Sequence, residues 1–235
     1  MLIINKNNME KISLVIPIFN ENNTIAEFIL SLNKYTSNSG FICECIFVDD
    51  GSNDGTTDVL EKHNFKVLRH KYNLGYGAAI KTGAQQATSN IICIIDADNE
   101  FPLEEINKLI PFINGCEMVV GKRDAINFPI HQKFAKFLIC GILSTLFRQS
   151  ILDINSGLRL IKKNIVSKYS TLLPNGFSFT SSITLAMLLD NYKINYVPIT
   201  YNRRKDGSKV KPISYVIYFI ISYLRILCFH IFKRE

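Results

Sequence analysis

Between residues 11 and 121 the chain alternates short apolar runs with segments of helical period, and this alternation leaves few folds open. "KISLVIPI" (11–18), "CECIFV" (43–48), "FKVLRH" (65–70), "NIICIID" (90–96) and "CEMVVG" (116–121) read as strands. Between them lie "NNTIAEFILSLNKY" (22–35), "DDGSNDGTTDVLEKH" (49–63), "GYGAAIKTGAQQA" (75–87) and "PLEEINKLIPFI" (102–113), each a helix or a turn feeding one. Strand–helix alternation predicts an α/β fold, a mostly parallel sheet with helices on both faces. Such sheets bind ligands beyond the carboxyl ends of their strands.

After Gly121 the pattern changes. Residues 131–150 and 178–191 read as helices, 192–201 as an edge-type strand, and 202–211 as a basic loop. The run from Pro212 to Phe232 is almost wholly apolar. As a helix it would be about 30 Å long, enough to span a bilayer. Arg225 inside it would cost roughly 2.5–3.5 kcal/mol at the bilayer centre. Basic residues at both ends and several Tyr suit a helix lying in the membrane interface; a span and a core or dimer contact stay open. Phe134, Phe137 and Phe147 of the 131–150 helix face either lipid or the sheet.

At 235 residues and 47% apolar, the chain can bury a sizeable core. Its formal charge of +7 suits phosphate-bearing ligands or anionic lipid. The six Cys form no CxxC pair and read as reduced, buried thiols. "MLIINKNNMEK" has no long apolar core, so the active region is expected on the cytoplasmic side.

Two acidic clusters fall at strand ends. In "VDDGSNDGT", Asp49 and Asp50 could accept hydrogen bonds from a nucleobase or ribose; equally, the segment could be a helix-capping turn built on Asp54 and Thr56. In "IICIIDADNE", Asp96 and Asp98 share a face of an extended chain. Two buried like charges are costly unless a cation joins them. Mg²⁺ takes one or two carboxylates plus substrate phosphates, so the pair reads as a metal site. "NLGYGAAIKTG" lacks dinucleotide or P-loop spacing, although Lys81 could face a phosphate. Arg203, Arg204, Lys205, Lys209 and Lys211 surround Gly207 and Ser208 in a loop able to fold over a diphosphate.

"VIPIFNE", "FVDDGSNDGTTD", "NLGYGAAIKTG", "IIDADNE", "VVGKRDA", "DINSGLRL" and "RRKDGSK" occur in this order. Together they resemble the family 2 glycosyltransferases of GT-A fold, in the branch containing dolichol-phosphate mannosyltransferase, over residues 11–211. The resemblance implies a glycosyltransferase domain over 1–211, with a nucleotide-sugar half (1–121) and an acceptor half (122–211), followed by the hydrophobic helix 212–235. It implies that Pro17, Phe19 and Glu21 line a nucleobase pocket and that Asp49 binds the base. Asp96 and Asp98 would hold Mg²⁺ or Mn²⁺, with Glu100 beside the metal. Arg123 would lie near the transferred sugar or the acceptor phosphate. Ser156 and Gly157 would shape the acceptor side, and Arg204, Ser208 and Lys209 would form a mobile loop, with Arg203 competing for the register of Arg204.

Three departures bear on mechanism. Glu100 stands where that branch often has Gln. Gly207 adjoins Ser208, where the branch usually spaces the two by one residue. Ser181 and Ser182 stand where many relatives carry an acidic residue. A sugar hydroxyl needs a carboxylate base, whereas a lipid phosphate is already a nucleophile at neutral pH. Asp153, which opens the "DINSGLRL" motif, is the candidate for such a base. The expected activity is inverting transfer from a UDP- or GDP-sugar to a polyprenyl phosphate at a membrane surface, with Asp98 and Arg123 in the reaction. Transfer to a surface-glycan hydroxyl with Asp153 as base is the alternative; sugar nucleotidyl transfer and a non-catalytic binding module are the remoter ones. No nucleic-acid partner is expected, and self-association stays open.

Overall fold

The computed structural model describes residues 10–124, 130–202, 221 and 223–230, with backbone alone for 130–132 and 134–136. Its strands are β1 (Ile12–Ile18), β2 (Ile42–Asp49), β3 (Lys66–Arg69), β4 (Ile91–Ile94), β5 (Met118–Arg123), β6 (Arg159–Lys162) and β7 (Ile194–Ile199). Its helices are α1 (Asn22–Asn38), α2 (Thr56–Lys62), α3 (Tyr76–Gln86), α4 (Ile106–Ile113), α5 (Ile130–Phe147), α6 (Lys163–Tyr169) and α7 (Phe179–Leu189).

One seven-stranded sheet runs in the order β3-β2-β1-β4-β6-β5-β7. β1, β2, β3 and β4 pair in parallel, as do β5 and β7. β6 is the exception. It lies antiparallel between β4 and β5, so the sheet is mixed at that point. The "RLIK" run was not expected as a strand: four residues opening on Arg159 carry little periodic signal. β7 is an edge strand, as its sequence suggested, and Pro198 sits on it where no further ladder needs an N–H.

Strand residues alternate between two cores, as period-2 patterning requires. Leu14, Ile16, Phe47, Cys93 and Val119 pack with Phe28 and Leu32 of α1 and with Ile106 and Leu109 of α4. Val15, Val48, Ile94 and Val120 face Ala79 and Ile80 of α3, Val166 of α6 and Ile183 of α7. The α3–sheet contact is close: a Cβ on Gly83 would lie 2.5 Å from Val15 Cγ1. Cys140 and Leu143 of α5 join this second core, and Phe147 packs against it rather than turning outward. Phe137, Leu138, Ile142 and Leu146 of α5 are exposed.

The described part of the C-terminal run, 223–230, is helical. Ile226 is buried in the second core, Arg225 donates to Thr171 O at 3.0 Å, and His230 Nε2 lies 2.6 Å from Asp190 Oδ1. Among the described residues no helix is long and apolar enough to cross a membrane.

Candidate active site

β1, β2 and β4 end at one edge of the sheet. Ile18 pairs with Asp49, and Ile95 N extends the β4 ladder to Val15 O at 3.2 Å before the chain turns out as Asp96. Both acidic clusters therefore emerge side by side.

Asp49 is fully buried. Its Oδ1 accepts Ser52 N at 2.8 Å, and its Oδ2 takes the Thr57 hydroxyl, with Arg69 Nε at 3.4 Å. Asp50 Oδ1 meets His70 Nδ1 at 2.7 Å and Leu74 N at 2.9 Å, while Oδ2 accepts Gly75 N at 2.7 Å. Asp54 accepts Thr56 N at 3.1 Å, the turn role its sequence allowed. Asp49 and Asp50 thus brace the loops around the edge from below. Pro17 is buried in β1, Phe19 is exposed, and Glu21 is part-buried with Thr24 Oγ1 at 3.1 Å from its Oε2.

Beyond β4, Asp98 Oδ1 accepts Glu100 N at 3.1 Å, closing a tight turn through Asn99 at φ 60°. Asp96 Oδ1 is buried with no hydrogen-bond partner. Burial raises the pKa of both carboxyls above the ordinary value, helped by the charge of Glu100 on each and, for Asp98, by that of Asp96. A half-buried pair that resists ionisation and keeps an orphaned oxygen fits a hard divalent cation, which neutralises the pair and takes oxygen ligands. Among the described residues no three His, Cys, Asp or Glu side chains converge as a preformed metal cluster. Glu100 lies close enough for its charge to act on both carboxyls; its Oε2 accepts the Tyr201 hydroxyl at 3.0 Å, and its carbonyl accepts Asn202 N at 2.8 Å.

Arg123, the last residue of β5, forks onto Asp153 with Nε–Oδ2 at 2.9 Å and a terminal nitrogen–Oδ1 at 3.0 Å. Its guanidinium also lies over the Tyr201 ring, 5.5 Å from the centroid. Asp153, read from sequence as a candidate base, is 1% exposed, and both its oxygens are engaged, Oδ1 taking Asn155 N as well at 3.1 Å. This is the geometry of a residue that holds Arg123, with both oxygens committed to partners within the protein. Ser156 is buried with an unpartnered hydroxyl. Gly157 presses on the acidic pair: a Cβ there would fall 2.2 Å from Asp96 Oδ2.

Lys81, read from sequence as able to face a phosphate, is held by oxygens of the protein itself. Its ammonium is taken by Leu173 O at 3.1 Å and Asn175 Oδ1 at 2.5 Å, with Ser170 O at 3.4 Å, tying α3 to the loop before α7. Arg203, Arg204, Ser208 and Lys209 lie outside the described residues. Three residues near the site were given no role in sequence, although Tyr76 and Arg159 fall inside the quoted motifs. Tyr201 bridges Glu100 and Arg123. Tyr76 lies beside Asp96. Arg159, fully buried, donates to the carbonyls of Ile154, Ser156 and Thr180 and so shapes the 153–157 segment. None of the three belongs to an acidic or basic cluster that would have marked it.

This sheet, with its acidic pair at the carboxyl edge, is a GT-A glycosyltransferase fold. Glucosyl-3-phosphoglycerate synthase from Mycobacterium tuberculosis, solved with UDP, superposes with a TM-score of 0.73 at 20% identity, covering 94% of this chain and 82% of that one. Mannosyl-3-phosphoglycerate synthase from Rubrobacter xylanophilus gives 0.70 at 15% identity, over 96% and 75%. The profile of "Glycosyl transferase family 2" matches residues 13–169, and the chain belongs to this family. Among relatives, the dolichol-phosphate mannosyltransferase of Pyrococcus furiosus is 29% identical over 95% of this chain and 63% of its own length. The undecaprenyl-phosphate 4-deoxy-4-formamido-L-arabinose transferase of Pectobacterium atrosepticum is 31% identical over 68% of this chain and 51% of its own. The chain thus spans between half and two thirds of these two relatives.

Proposed function

We propose that the protein is an inverting, metal-dependent glycosyltransferase that moves a sugar from a UDP- or GDP-sugar to a polyprenyl phosphate. The observation that carries this reading is the half-buried Asp96/Asp98 pair at the carboxyl edge, with Asp96 Oδ1 itself buried and unpartnered. Asp96 and Asp98 would hold Mg²⁺ or Mn²⁺. That cation, when bound, would supply positive charge and Lewis acidity at the departing diphosphate. Solved neighbours crystallised with Mn²⁺ and UDP favour the same assignment.

Pro17, Phe19 and Glu21 would flank the nucleobase, with Asp49 and Asp50 shaping the loops beneath it. Arg123, fixed by Asp153, would present positive charge to the acceptor phosphate beside Ser156 and Gly157. Arg203, Arg204, Ser208 and Lys209 would add charge and donors to the diphosphate. An acceptor phosphate oxygen would attack the anomeric carbon from the face opposite the nucleotide. The bond from that carbon to the diphosphate would break, and its electron pair would leave with the nucleoside diphosphate. A phosphate dianion has no proton to lose, so no base is required. The commitment of Asp153 to Arg123 supports a phosphate acceptor over a glycan hydroxyl, and the polyprenyl-phosphate relatives point the same way.

The exposed apolar face of α5, with Ile221, Leu224 and Phe229, would contact the membrane surface that carries a lipid acceptor. The test is a donor and acceptor screen with Mn²⁺ present. UDP- and GDP-sugars are paired with polyprenyl phosphate, a hydroxyl glycan, or 3-phosphoglycerate, and the released nucleotide is read. Turnover with polyprenyl phosphate supports the reading. Turnover confined to either other acceptor, or release of pyrophosphate, overturns it.

A further inference from the structure

The hydroxyl of Tyr76, the first residue of α3, is buried and has no hydrogen-bond partner; Asp96 Oδ1 is in the same condition. The Tyr76 hydroxyl and the Asp96 carboxyl are within reach of each other, but no hydrogen bond of full geometry joins them. A buried hydroxyl without a partner is destabilising, so one persists where a ligand or a second state satisfies it.

The Tyr76 ring has little freedom to seek another acceptor. It stacks on Phe177 at 5.6 Å and 18°. On one side of it, Gly75 is fixed by Asp50 Oδ2 and sits at φ 106°, so tight that a Cβ would meet Asn175 O at 2.5 Å. On the other side, a Cβ on Gly77 would meet Pro174 O at 2.3 Å. Ala78 N bonds Asn175 O at 3.1 Å, and Lys81 anchors the same loop through Asn175 Oδ1 at 2.5 Å. The residues pinning the ring thus include Asp50 and Lys81, whose charges go to internal bonds. On the far side of Asp96, Gly157 closes against Oδ2. The carboxylate is boxed between a fixed hydroxyl and a fixed backbone.

We propose that Tyr76 is a positioning residue for Asp96: its hydroxyl is the donor that orients the ionised carboxylate as a metal ligand. Carboxylates that ligate metals are themselves hydrogen-bonded, and the outer partner sets their orientation. A phenol hydroxyl has one proton to give and Asp96, once ionised, can only accept, so the direction of the bond is fixed.

The inference rests on the metal reading of the site, and one experiment separates the two. Mn²⁺ affinity in the presence of UDP is measured from the free-Mn²⁺ paramagnetic resonance signal for the wild-type full chain, Tyr76→Phe, Asp96→Asn and Asp98→Ala. Thermal midpoints are taken without metal. Tyr76→Phe removes one oxygen and keeps the ring on Phe177. It should lower Mn²⁺ affinity 10- to 100-fold, the usual effect of losing an outer-shell partner. Its metal-free midpoint should equal or exceed that of wild type, since the hydroxyl it loses bonds nothing in the protein. An affinity within twofold of wild type overturns the inference. So does a metal-free midpoint that falls with the affinity, which would mark a packing role. Wild-type Mn²⁺ binding in both Asp96→Asn and Asp98→Ala would overturn the metal reading itself.

Discussion

Replacing Asp153 by Asn separates the two acceptor chemistries. The side chain is 1% exposed, and its two oxygens take Nε and a terminal nitrogen of Arg123 at 2.9 and 3.0 Å. Asn keeps the shape, but it removes the charge and turns one acceptor into an NH₂ that confronts a guanidinium N–H. Breaking a buried pair this way typically costs about 3–5 kcal/mol, because the remaining charge stays buried and uncompensated. For a chain of this size, each kcal/mol shifts the thermal midpoint by roughly 2–4 °C. The midpoint should therefore fall by about 6–20 °C. Turnover per folded molecule should drop with it as Arg123 loses its seat, and the drop should be the same at every pH. The assay pairs thermal unfolding with initial rates across pH, normalised to folded protein. An unchanged midpoint with turnover abolished and nucleotide binding intact would refute the reasoning. Asp153 would then be a base and the acceptor a hydroxyl.

Four further outcomes are expected. Gly157→Ala places a methyl 2.2 Å from Asp96 Oδ2, so Mn²⁺ affinity should fall at least tenfold in a titration, with an overpacking cost of about 1–3 kcal/mol. Because burial and mutual repulsion raise both Asp96 and Asp98 above the ordinary carboxylate value, the metal-free protein loses stability as pH rises from that ordinary value through the raised ones. Cation binding displaces the same protons, so the stabilisation given by Mn²⁺ in a thermal-shift series should grow from pH 6 to pH 8. Asp190 moves the other way: held by Lys168, Tyr169 and His230, its value drops from 3.8 to about 2. Its contribution, about 2 kcal/mol at 1.36 kcal/mol per unit, is present above the unfolded value and lost as pH falls through about 2. Asp190→Asn should be less stable than wild type at pH 7, and the two should converge in acid unfolding near pH 2. Tyr201→Phe removes the donor to Glu100 Oε2 without changing charge and should raise amide exchange at Glu100 and Asn202 while leaving the β1–β2 ladder protected.

The β1, β2 and β4 runs were legible because buried parallel strands are continuous apolar runs, and a carboxylate at the end of such a run stands out. The mixed centre of the sheet was not. β6 is four residues long, and its antiparallel place between β4 and β5 is set by contacts far apart in sequence. The site divides along the same line. Asp96 and Asp98 declare themselves by charge at a strand end, whereas Tyr76 and Tyr201 are ordinary aromatics until the fold brings them to Asp96 and Glu100. Charge alone also misleads. The carboxylate of Asp153 and the ammonium of Lys81 looked available for chemistry, and the fold commits both to internal partners. The exposed face of α5 was half legible: Phe137 is outward, but Phe147 turns to the core, because a helical period of 3.6 puts residues ten apart on different faces.

The most direct measurement takes wild type and Asp98→Ala with polyprenyl phosphate and the nucleotide sugar identified by the screen, with and without a chelator. The account predicts that wild type releases nucleoside diphosphate in step with glycosylated lipid. Chelation should abolish this and Mn²⁺ or Mg²⁺ restore it, while Asp98→Ala stays folded and inactive under every condition. Full transfer by wild type with all divalent metal removed, or by Asp98→Ala, would contradict it.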